Sequence, residues 1–198
     1  MILFTYVWVI KPNNKGDIEM NKQELKALCF DKLEKMNNNK AVKQNPNASR
    51  ANVEAMIKAY NYGNYLVALI LKDEGWSLEP NQDIKAIDLV GSDPSGNDVA
   101  VEVKTEFYPS SNFFVEIKDA CWGAEKIKDY WERAKDNKPT YFASVCGNTK
   151  TLHLYDLTMF TRHTDDFRAI RSRFQTTGYL WDKNTDYPFK IGVYELGI

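Results

Sequence analysis

The chain has 198 residues, with 26 Lys and Arg against 27 Asp and Glu, for a formal net charge of −1 at pH 7. This balance excludes a global basic field, so any contact with nucleic acid must come from a local patch. At 43% hydrophobic and 27% charged residues, the composition is that of one globular domain able to bury a proper core.

Residues 1–10 alternate, with Phe4, Tyr6, Trp8 and Ile10 on one side, and predict a strand. The run is too short to span a bilayer and lacks a basic leader, so no membrane segment is expected; its aromatic side is a candidate homodimer interface. Residues 11–17 form a turn. Asn21 with Glu24 three residues on has capping-box spacing and predicts a helix to about Met36. Residues 37–47 are polar and locally basic. A second helix is predicted from Ser49 or Asn52 to about Asp73, with an irregularity at Gly63 and a stop at Gly75. A short strand is expected over 76–78, then strands over 84–90 and 98–106 around the turn-rich segment 91–97. A third run covers 113–118, a helix 123–137, strands 140–146 and 151–157, a short helix 165–175 and a last strand 188–196. Trp122, Tyr130, Trp131 and Trp181 read as core.

This order describes an α/β or α+β fold with a mixed sheet flanked by helices. The helix over 123–137 supplies a crossover, which predicts that the runs at 113–118 and 140–146 are parallel neighbours or near-neighbours. Cys29, Cys121 and Cys146 are far apart, with no CxxC pair and no Cys/His cluster. No zinc site is encoded, and the thiols suit a reduced, cytoplasmic setting. His153 and His163 are the only histidines, and no nucleophile–histidine motif surrounds either.

In the strand over 98–106, Val99, Val101 and Val103 face one way and Ala100, Glu102 and Lys104 the other. Glu102 and Lys104 are then same-face neighbours about 7 Å apart. Asp88 on the preceding strand can lie opposite or diagonal to Glu102. Two carboxylates and a lysine on one patch of sheet are the minimal kit for holding a divalent cation and activating water; the plainer reading is a solvated strand face. Asp83 is a rival first acid, and Glu116-Ile117-Lys118 is a second Glu-x-Lys that can compete or add an acid.

Asp88 at the end of an apolar strand, followed 14 positions later by Glu102-Val103-Lys104, resembles the signature of the PD-(D/E)xK nuclease superfamily. The resemblance covers about residues 50–157, with 1–49 and 158–198 as additions to a single domain. It implies a restriction-endonuclease-like core and metal-dependent hydrolysis of DNA phosphodiester bonds by an endonuclease. Asp88, Glu102 and the Val103 carbonyl would hold Mg²⁺ or Mn²⁺, and Lys104 would serve the attacking water or the scissile phosphate. The chain departs from the pattern where many members carry an acid on the first core helix: Asn64 stands there, with Glu54 as a substitute. The proline before Asp88 is also missing. Phosphate contacts would come from Lys40, Lys43 and Arg50, or from Arg162, Arg168, Arg171 and Arg173. The alternatives are a non-catalytic nucleic-acid-binding or interaction module on the same fold, and an unrelated α/β protein whose hairpin bears an ordinary charge pair.

Overall fold

The computed structural model describes residues 21–38, 50–81, 87–107, 109–118, 132–133, 135–136, 138–171 and 177–198. The predicted strand at 1–10, the basic segment with Lys40 and Lys43, Asp83, Cys121, Trp122, Tyr130, Trp131 and Arg173 lie outside the described residues.

Helix α1 spans Lys22–Asn38 and opens with the predicted capping box. The Asn21 N–H donates to Glu24 Oε2 at 2.9 Å, and the Glu24 N–H donates to Asn21 Oδ1 at 3.0 Å. Two backbone donors that the helix cannot satisfy are thereby paired. Helix α2, Arg50–Asp73, runs unbroken through Gly63. The two helices are tied at one end by Asp73, which accepts from Lys22 and, at 2.7 Å, from the buried Lys26.

Six strands form the main sheet in the order β1 (Ser77–Pro80), β2 (Leu89–Ser92), β3 (Asp98–Glu106), β5 (Thr140–Cys146), β6 (Thr151–Asp156) and β9 (Lys190–Glu195). All neighbours are antiparallel except β3 and β5. A second sheet of three strands has the order β4 (Asn112–Lys118), β8 (Thr177–Asp182), β7 (Ile170–Arg171). The molecule is thus an α+β structure with a mixed sheet, covered by helices on one face and by the small sheet on the other.

Side-chain alternation sorts the two faces. Val99 and Val101 of β3, Ala143 and Val145 of β5, and Leu152 and Leu154 of β6 pack against Cys29, Phe30 and Leu33 of α1 and Leu66, Val67, Ile70 and Leu71 of α2. On the other face Phe142, Cys146 and Tyr155 meet Phe113, Val115 and Trp181 of the second sheet, with Phe160 of helix α3 (Leu157–Phe160) and Phe189. Every residue of β5 is buried, as expected for a central strand covered on both faces.

Three expectations are corrected. The run at 112–118 does not neighbour β5, because both edges of β5 are already occupied by β3 and β6. It pairs with β8 in the second sheet, and β3 is the strand parallel to β5. The strand expected over 84–90 is ordered as β2 only from Leu89 and continues into Gly91 and Ser92; residues 82–86 lie outside the described residues. Where a helix is expected over 165–175, the described residues show a single 3-10 turn, Thr164–Asp166, followed by extended chain to Arg171; residues 172–176 lie outside the described residues. Phe167 is extended and anchored among Phe160, Tyr179 and Phe189, which pulls the segment toward the second sheet. The pattern had not revealed β8. Of the helix expected over 123–137, Glu132, Arg133 and Lys135 are helical.

Between the sheets, His153 touches the Phe113 ring edge-on at 5.0 Å, and its Nε2 lies 3.2 Å from Thr151 Oγ1. Burial first, then the charges of Lys190 and Lys183, push its pKa down to about 4. The folded value lies below the unfolded value of about 6.5, so the unfolded chain binds the proton first as pH falls. Stability is therefore expected to drop between about pH 6.5 and 4, by up to about 3 kcal/mol at 1.36 kcal/mol per pKa unit. Urea unfolding across that window should show a shallower pH slope for His153→Leu than for the parent.

Candidate catalytic site

The register of the β2–β3 hairpin pairs Leu89 with Val101 and Val90 with Ala100. Continued by one residue, it sets Asp88 across from Glu102, on the face opposite the valines. Directly opposed residues of an antiparallel pair hold their Cβ atoms about 4.5–5.5 Å apart. The ladder ends at this point. Instead of a main-chain carbonyl, the carboxylate of Asp88 takes the next donor: Oδ2 accepts the Val103 N–H at 2.5 Å. On its other side Asp88 stays bound to β1, its carbonyl accepting from the Asn81 N–H at 2.9 Å.

Asp88 is only 4% exposed. A buried carboxylate is costly unless it is hydrogen-bonded, and the bond to Val103 supplies one strong, charge-assisted partner. In a strand the N–H and C=O of one residue point to the same side. The Val103 carbonyl therefore leaves β3 on the side where Asp88 stands. Two carboxylates and a main-chain carbonyl form an all-oxygen donor set, the chemistry preferred by a hard cation such as Mg²⁺ or Mn²⁺ with water and phosphate completing its shell. Among the described residues no group of three or more His, Cys, Asp or Glu side chains gathers around a metal-sized centre.

Lys104 is half-buried on the same face as Glu102. Its ammonium donates to the Phe114 carbonyl at 2.8 Å and lies 5.0 Å from the centre of the Phe114 ring. The second sheet thus reaches the Glu-x-Lys strand through β4. Glu116 follows Phe114 by two residues and is half-buried, but it belongs to that second sheet, opposite Gly178. It is not on the strand next to β3, because that place is taken.

Asn64 lies on α2 and is 1% exposed. Neither its Oδ1 nor its Nδ2 has a hydrogen-bond partner. The preceding Gly63 marks where α2 touches β3: a Cβ there would stand 2.9 Å from Thr105 Cγ2 and 3.8 Å from Val103 Cγ1. Asn64, with its unsatisfied amide, therefore follows directly on the point where α2 meets β3. Arg50 and Glu54 are on the same helix, upstream of where its described side chains begin at Asn61. Arg162, Arg168 and Arg171 are exposed and do not share the helix face expected for them, since no helix forms there.

No protein-family model and no curated protein matches the chain. Among solved structures it is similar to Hjc of the archaeal hyperthermophile Archaeoglobus fulgidus, a Holliday junction resolvase, at 13% identity and a TM-score of 0.43, over 66% of this chain and 88% of that one. Among the described residues no helix is long and apolar enough to cross a membrane.

The grip of Phe114 on Lys104 had no signal in the sequence, because it depends on a strand in another sheet. It is testable through Gly178, where an added Cβ would fall 2.4 Å from the Val115 carbonyl oxygen and 2.6 Å from Phe114 Cζ. Gly178→Ala is expected to cost about 1–3 kcal/mol, as overpacking does, and to shift the NMR signals of the Lys104 ammonium and its neighbouring methylene. Unchanged Lys104 signals in a folded variant would show that β4 does not position this lysine.

Proposed function

We propose that this chain is a divalent-metal-dependent endonuclease of the PD-(D/E)xK type that hydrolyses DNA phosphodiester bonds. The observation that carries the reading is the Asp88 carboxylate bound to the Val103 N–H, between Glu102 and Lys104. The order α2–β1–β2–β3, then a helical segment and β5 parallel to β3, supports it, because it matches the core that the signature implies.

Asp88, Glu102 and the Val103 carbonyl would hold Mg²⁺ or Mn²⁺. Bound there, the cation supplies Lewis-acid charge that polarises a phosphoryl oxygen and acidifies water. The chain itself does the rest. The Val103 N–H fixes the rotamer of Asp88. Glu102 presents its carboxylate from the opposing strand. Lys104, on the Glu102 face of β3, would offset charge accumulating on the phosphate or orient the attacking water. Asn64 offers a neutral amide where an acid would add charge, and Glu116 is an additional acid only if β4 moves toward the main sheet. Lys40, Lys43, Arg50, Arg168 and Arg171 are the proposed contacts to backbone phosphate, and binding through them would weaken steeply with salt.

The test is incubation of the chain with supercoiled, linear, single-stranded and branched DNA, with and without Mg²⁺ or Mn²⁺. Cleavage should require the metal, and Glu102→Gln and Lys104→Ala should each reduce it at least about a hundredfold, with far-UV circular dichroism unchanged. Parent-like cutting by both variants would sink the site assignment. Asn64→Asp adds a carboxylate where α2 meets β3 and should lower the Mg²⁺ concentration needed for half-maximal activity. The neutral Asn64 favours one rival, a non-catalytic nucleic-acid-binding module on the same fold; that protein would bind DNA in a salt-sensitive way and nick none of it with any metal.

A further inference from the structure

At the β1–β2 margin of the main sheet the chain walls a groove of about 900 Å³ between the end of α2, strands β1 and β2, the start of β3 and the segment around Arg133. This size suits a small ligand, for which sites commonly measure about 300–1,000 Å³. Lys72, Arg133 and Lys138 line it; among the described residues none of the three has a carboxylate oxygen within 4 Å, and the nearby charges of Asp136 and Asp98 favour the charged form of Arg133. Arg133 is fixed by its Nε, which donates at 3.1 Å to Oγ1 of the fully buried Thr140. That bond uses one edge of the guanidinium and leaves the two terminal amino groups. A planar fork held in place matches phosphate oxygens two at a time, and lysines add point charges.

The same groove carries Glu79 and Asp98, both exposed, and the hydroxyls of Ser77 and Ser92. Two carboxylates oppose a bare polyanion, because three cations against two acids leave little net attraction. They suit a ligand with an anionic end and a hydroxyl-bearing end, since carboxylates accept well from paired sugar hydroxyls. We propose that this groove binds a nucleoside monophosphate, with its phosphate on Arg133, Lys138 and Lys72 and its ribose hydroxyls on the carboxylates. The site does not depend on the nuclease reading, because none of Asp88, Glu102 and Lys104 lines it.

The phosphate could belong to a free nucleotide or to a strand end, and calorimetric titration of the full chain separates them. The probes are AMP, dAMP, inorganic phosphate and a 5′-phosphorylated tetradeoxynucleotide. AMP is expected to bind at least tenfold tighter than phosphate and tighter than dAMP. Arg133→Gln should weaken AMP at least tenfold. Lys138→Gln, at an exposed residue without a partner, serves if the arginine variant fails to fold and should weaken AMP severalfold. Glu79→Gln with Asp98→Asn should reduce AMP binding to the level of phosphate, and Glu102→Gln should bind AMP like the parent. The proposal is overturned by no AMP binding at millimolar concentration, by phosphate binding as tightly as AMP, by binding of the tetranucleotide alone, or by unchanged affinity in both cation variants.

Discussion

One hydrogen bond, from the Val103 N–H to the Asp88 carboxylate, organises the candidate site. It occurs where β2 stops following β3, and it solves two problems together. The donor at Val103 would lose its ladder partner at the end of the hairpin, and an unpaired buried N–H costs about 1–3 kcal/mol. The carboxylate of Asp88, nearly enclosed, would lose its hydration without replacement. Pairing them gives each a partner where the ladder ends. The acid pair is therefore a consequence of how the strand pair ends.

Lys104 depends on a second constraint. Both edges of β3 are filled, so the chain after it cannot add another strand there. It crosses instead to the face of the sheet and builds β4, β8 and β7 over an aromatic core. Phe113 and Val115 point into that core, and the alternation of β4 sends Phe114 the other way, where its carbonyl and ring receive the Lys104 ammonium. Gly178 is what lets β8 lie against Val115 and Phe114. A packing solution for a surplus strand thereby sets the position of a charged group on the main sheet.

What was legible in the sequence follows from range. The capping box at Asn21 and Glu24 and the alternation of β3 are decided within a few residues and fold as read, and the turn expected over 91–97 forms over 93–97. Asp93 closes that turn, its Oδ1 accepting from the Ser95 and Asn97 N–H groups at 2.9 Å. The pairing of the strand after Asp88 with the strand bearing Glu102 was readable too, because a hairpin fixes its own register. The partner of β4 was not, since it depends on strand β8, more than sixty residues later. The false helix at 165–175 failed for a similar reason. Its charges suit a helix, but Phe167 is held by rings from α3, β8 and the loop before β9.

The two faces of β3 divide the chemistry of the chain. Val99, Val101 and Val103 face the helices and make that side a core, so polar groups survive there only at its margin or beside a contact forced by Gly63. That contact leaves Asn64 unsatisfied. On the other face, Ala100, Glu102 and Lys104 alternate with those valines and meet a sheet that covers them only partly. Acids and lysine can persist there because water and the Phe114 carbonyl share their solvation. A strand buried on both faces, as β5 is, offers neither setting, and its polar side chain Ser144 is fully buried with an unpaired hydroxyl. The candidate chemistry therefore sits on β3, the strand at the boundary between full and partial cover, and not on the most protected strand beside it.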